Sequence, residues 1–164
     1  MSYRTVFGSL NEYEKGGVQV IDANPKHYVF SNVFEVASKS KAYERIAVAK
    51  NLRFVLEVTR ADGVSPWYTA GHDESALVMD GEVEIVLVKP ERPTAGDAEG
   101  AVRLGDVAPK GKRMGVIKAR RGHMALLPKG AAYQFRTLSP AVLLLQTIAG
   151  PETVQKWADI CQVA

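Results

Sequence analysis

His72 and Glu74 are the pair in this chain best placed to do chemistry. Residues two apart on a strand share a face, so in an extended segment Tyr68, Ala70, His72 and Glu74 point together. Such a histidine and carboxylate could act as general base and acid, or supply two ligands of a facial triad for non-haem Fe(II). They could equally hydrogen-bond each other inside a core, since a buried carboxylate must be paired or neutralised. Fe(II) would need a third ligand, and the side chain offered from the other half of the chain is Tyr133. Trp67 and Tyr68 precede the pair and are suited to a cavity mouth, an interface or ordinary packing.

Two stretches must position these side chains. In the first, Glu74 is followed after six residues by Gly81, which predicts a strand over 75–79, a turn at Asp80-Gly81 and a return strand over 82–88, together a hairpin with its carboxylate at the entry. In the second, Gly122 is followed after five residues by Pro128 and then by Gly130 and Tyr133. That spacing reads as strand, tight Pro128-Lys129-Gly130 turn and strand, a second hairpin that would face the first across one cavity.

The rest of the chain supplies walls. Residues 1–16 mix Gly, Ser, Asn and Glu without a period and read as an arm, leaving 17–164 as a single domain. Short strands are expected over 18–21, 43–50, 54–58 and 114–119, and the alternation in 32–37 reads as another, followed by a polar turn over 38–41. The apolar run 142–148 suits a strand buried on both faces. Residues 89–112, with their prolines and glycines, read as a long loop. From Pro151 the period changes: Val154, Trp157, Ala158 and Cys161 form one stripe of a short C-terminal helix.

Composition excludes several functions. Lys and Arg number 21 against 18 Asp and Glu, with the basic residues scattered, so no basic face for nucleic acid is expected. No apolar run approaches the roughly 20 residues that span a bilayer, and the chain does not open on a basic and then apolar leader, which predicts a cytoplasmic protein with no membrane partner. The single cysteine, Cys161, rules out an internal disulfide and a multi-cysteine zinc site.

Glu74, Gly81, Gly122, Pro128 and Gly130 stand at the spacing of the two motifs of the cupin superfamily, which this chain resembles. The resemblance implies an all-β, cupin-like barrel (double-stranded β-helix or jelly roll) with an N-terminal arm and a short C-terminal helix. The metal-binding members carry three histidines and a glutamate; here those histidine positions hold Tyr68, Ala70 and Tyr133. Longer blocks, HYVFSNVFEVASKSKAYERIAVAKNL, GVSPWYTAGHDESALVMDGEVEIVLVK, RRGHMALLPKGAAYQF and LLLQTIAGPETVQKWADIC, resemble the small subunits of the two-component hydroquinone 1,2-dioxygenases, heteromeric extradiol ring-cleaving enzymes of bacterial 4-nitrophenol degradation.

That resemblance implies a partner, a larger cupin-like subunit, in a heterotetramer of two small and two large chains. It places Fe(II), hydroquinone and O2 in the large subunit, with 4-hydroxymuconic semialdehyde as product, and expects no metal in this chain. The chain would stabilise its partner and help wall the substrate pocket, with Trp67, Tyr68 and Tyr133 at that pocket or at the subunit interface. Two other readings are a self-sufficient metal-dependent cupin dioxygenase using His72 and Glu74, and a metal-free binding or scaffold cupin.

Overall fold

Alternating apolar and polar residues build about half of the described residues into strands, because β-branched and aromatic side chains pack well on a pleated, half-buried surface. The computed structural model describes residues 9–13, 16, 18 and 30–160. Its elements run in the order α1 (Val33–Lys39), β1 (Arg45–Asn51), β2 (Phe54–Ala61), β3 (Trp67–Ala70), β4 (Glu74–Asp80), β5 (Glu82–Pro90), β6 (Ala101–Gly105), β7 (Gly111–Arg120), β8 (Met124–Leu127), β9 (Ala132–Arg136), β10 (Ala141–Ile148), β11 (Thr153–Val154) and α2 (Trp157–Ile160). One sheet has the order β11-β1-β2-β10-β4-β8 and the other β6-β3-β9-β5-β7. Among the described residues no helix is long and apolar enough to cross a membrane.

The inward faces of the two sheets meet in one core. Val78, Leu127, Leu143 and Leu145 come from the first sheet, Ile85, Tyr133 and Phe135 from the second. Each such side chain contributes about 1.5–3 kcal/mol by leaving water. The outer face of the first sheet is covered at one end, where Phe34, Val36 and Ala37 of α1 pack on Ile46, Val58 and Val142 together with Ile160. Leu10 and Tyr13, in the stretch read as an arm, lie against that cluster, and the Leu10 amide donates to Asp80 Oδ2 at 2.8 Å.

The glycine and proline turns lie where the spacing puts them, but they join different sheets and the two hairpins do not form. β4 pairs with β10 and β8, whereas β5 pairs with β7 and β9. Likewise β8 belongs to the first sheet and β9 to the second. Strands that switch sheets at their ends let two sheets close on one core. The local turn signal is the same for a hairpin and for such a corner, so spacing alone does not separate them. Gly81 shows what the corner demands: its φ is +77° and a Cβ there would meet the Ala141 Cβ at 2.7 Å.

Other expectations need correction. Residues 32–37 are not a strand: Asn32 caps a helix, its side chain accepting from the Phe34 and Glu35 amides at 3.0 and 3.2 Å. Val33, Val36 and Ala37 also fit helical spacing, and the cap decides between the two periods. The helix runs to Lys39, so the polar turn starts later than expected. The strand expected over 43–50 begins at Arg45, after Tyr43 at positive φ. The long loop of 89–112 is divided, because β5 extends to Pro90, β6 forms against β3, and β7 starts at Gly111. Among the described residues the C-terminal helix covers Trp157–Ile160; Val154 instead pairs in parallel with Ile46. Cys161 lies outside the described residues, as does the strand expected over 18–21 except for Val18.

Candidate functional site

The expected line of Tyr68, Ala70, His72 and Glu74 along one strand is broken. β3 ends at Ala70 in one sheet and β4 begins at Glu74 in the other, so residues 71–73 form the link between them. His72 Nε2 lies 3.0 Å from Thr147 Oγ1, and the Ile148 amide donates to the same nitrogen at 3.3 Å. Glu74 turns inward instead and is buried.

Glu74 belongs to a buried cluster organised by a residue that the motifs do not contain. Arg45, the first residue of β1, points into the barrel with 3% of its surface exposed. Its Nε donates to Glu57 Oε2 at 2.6 Å, its Nη2 to Glu74 Oε1 at 2.9 Å and its Nη1 to the Tyr133 hydroxyl at 3.0 Å. Tyr133 in turn donates to Glu74 Oε2 at 2.5 Å, and Thr153 Oγ1 donates to Glu57 Oε1 at 2.5 Å. All four carboxylate oxygens are thus engaged. Tyr68 stands opposite Tyr133 in the register, their ring centroids 5.8 Å apart, and the Arg45 guanidinium lies 5.7 Å from the Tyr68 centroid.

The electrostatics follow from this packing. Burial alone would push the Glu74 carboxyl up, but the Arg45 charge and the hydrogen bonds from Thr147, Tyr133 and Arg45 hold it below the usual carboxylate range. Burial pushes the Tyr133 phenol well up, against the pull of Arg45, and Tyr68 is raised for the same first reason. Burial opposes the charge on Arg45, and the facing Tyr133, Glu74 and Glu57 more than offset it. Glu74 stays ionised and Tyr133 stays neutral across the physiological range, so neither is poised for proton transfer there.

This donor set does not fit a ferrous ion. One carboxylate, already bonded to a guanidinium and a phenol, stands with two neutral tyrosines and Ala70 at the cupin ligand positions. Among the described residues no group of three or more His, Cys, Asp and Glu is placed to hold a metal. His123 uses its Nδ1 to accept from the Arg120 amide at 3.1 Å, and His27 lies outside the described residues.

Of the residues singled out from the sequence, the structure brings together Glu74, Tyr133 and Tyr68 and sets two apart. His72 sits at the barrel end beside Thr147. Trp67 points to the opposite face of its sheet from Tyr68, buried with Val86, Val88 and Ala132. Sequence reasoning missed Arg45 and Glu57. The signal was there in Glu57, a charge on the inward side of the FVLEV alternation, which has to find a buried counter-charge.

Comparison with solved structures gives full-length matches. A hydroquinone 1,2-dioxygenase from Sphingomonas sp. TTNP3, with 4-hydroxybenzoate bound, is 52% identical over 99% of this chain and 99% of that chain, with a TM-score of 0.93. The hydroquinone 1,2-dioxygenase PnpCD, in complex with Cd2+ and 4-hydroxybenzonitrile, is 49% identical over 98% and 97%, with a TM-score of 0.90. A longer chain from a PnpCD structure in complex with Fe3+ also matches, at 13% identity and TM-score 0.61, over 85% of this chain and 39% of that one; this likeness shows a shared fold alone. No protein-family model and no curated protein matches the chain.

Proposed function

This chain belongs to the hydroquinone 1,2-dioxygenase family, and we propose that within it the chain is the small, metal-free subunit of an Fe(II)-dependent, two-subunit enzyme. The enzyme would open hydroquinone with O2 to 4-hydroxymuconic semialdehyde in the cytoplasm, as a heterotetramer of two small and two large chains. The observation that carries the reading is the 52% identity over 99% of both chains. Structures of PnpCD give both a chain of this length and a longer one, which supports a second, larger partner.

In this reading the iron is the large subunit's and supplies Lewis acidity and orientation there. This chain supplies a preformed barrel wall. Tyr68 and Tyr133 are held rigid by Arg45 and Glu74, and Trp67 stiffens the other face of the same sheet. All three are buried, so they would shape the pocket border or interface by fixing the strands beneath it. Small molecules often bind at such boundaries between subunits.

The test is hydroquinone-dependent O2 uptake by the purified chain alone and after co-expression with a large subunit. Activity only with the partner is expected. Iron-dependent activity in the isolated chain would overturn the proposal and favour a self-sufficient enzyme.

A further inference from the structure

The cupin ligand positions, carried over residue by residue, are Tyr68, Ala70, Glu74 and Tyr133. Three of these four touch one group: the Arg45 guanidinium lies against the Tyr68 ring, donates to Glu74 and donates to the Tyr133 hydroxyl. Its remaining donor bond goes to Glu57. We propose that Arg45 is the resident cation of this barrel: its guanidinium fills the place where a related barrel would hold a divalent metal, and so closes that place to metal. The inference deepens the reading of the chain as the metal-free subunit, and rests on it only in assigning the iron elsewhere.

Three observations support this. The first is charge. Glu57 and Glu74 bring two carboxylates into a space where both are about 1% exposed, and Arg45 is the cation that meets them. An anionic pocket so dry is costly without a cation inside it. The second is geometry. The acceptors surround the guanidinium on its Nε, Nη1 and Nη2, which suits the planar fork of arginine and not the point charge of lysine. The third is occupancy. Tyr133 and Thr153 donate to the carboxylate oxygens that Arg45 leaves, so each of the four oxygens already has a donor that a metal would have to displace.

The cluster is therefore a guanidinium site whose ligand is covalently attached, and it should accept the free ion when the side chain is removed. The test uses the full-length chain with Arg45→Ala, melted in millimolar guanidinium chloride and in sodium chloride of equal ionic strength. The variant should melt about 10 °C below the parent in sodium chloride, since a broken buried pair is strongly destabilising. Guanidinium should restore several degrees to the variant and none to the parent or to Arg45→Ala with Glu74→Gln. Equal response of all three proteins, or no response in the variant, would overturn the proposal.

A second measurement does not need the Arg45 variant. The parent chain is titrated with Co2+ and followed by its visible absorption. Absence of uptake with Arg45 in place is expected. Uptake that disappears in Glu74→Gln would mean that the site takes metal despite Arg45, and would end the proposal. Neither readout depends on dioxygenase activity, so it can fail while the subunit assignment stands, and the reverse.

Discussion

The interior of this barrel has two halves that obey different rules. Around Phe135, Ile85 and Leu143 it is an ordinary apolar core, in which each side chain is held by many weak contacts. Around Arg45 it is ionic, with two carboxylates, a guanidinium and the Tyr133 and Thr153 hydroxyls tied by bonds of 2.5 to 3.0 Å. Contacts in the first half are replaceable by any side chain of similar volume. In the second half, removing one partner leaves a buried charge unmet. The metal-binding version of such a barrel would concentrate that dependence on an ion; here it rests on one side chain.

The contrast is sharpest for substitutions that conserve volume. Glu74→Gln keeps shape but leaves Arg45 short of a carboxylate, and should cost about 3 kcal/mol in urea unfolding. Tyr133→Phe removes the hydroxyl that donates to Glu74 and accepts from Arg45, for about 1–3 kcal/mol. Leu143→Met, fully buried in the apolar half, should cost about 1 kcal/mol. If Leu143→Met proves more damaging than Glu74→Gln, the division between the halves is wrong.

Titration should separate the halves with smaller effects. The folded Glu74 carboxyl lies below its unfolded value, so its contribution is present above that value and is lost as pH falls through the folded one. Acid sensitivity of stability should accordingly be weaker in Glu74→Gln. Tyr43, in the apolar half and bonded to the Gly63 carbonyl at 2.7 Å, is pushed up to about 12 by burial. Its contribution is complete below the unfolded tyrosine value of about 10 and is lost as pH rises toward the folded one. Tyr43→Phe should flatten the alkaline fall in stability.

Much of this was legible from residues alone. That the chain turns at Gly81 and at Pro128-Gly130, the strands flanking those turns and the inward Glu74 follow from spacing. What was not legible depends on partners distant in sequence. Whether Asp80-Gly81 makes a hairpin or a corner is decided by Ala141 and β10, which lie against it only in the fold. Arg45 and Glu74 are joined across two strands that share no motif, and His72 leaves the line because the chain changes sheets between Ala70 and Glu74. Helix α1 is an error that local reading could have avoided, since Asn32 followed three residues later by Glu35 is a cap signal.

The proposed division, a guanidinium in this chain and iron in a larger partner, is tested most directly by the iron content of the two chains of the co-purified complex after they are separated under anaerobic conditions. The prediction is iron with the larger chain and none with this one. Iron retained by this chain, and lost on Glu74→Gln, would contradict it.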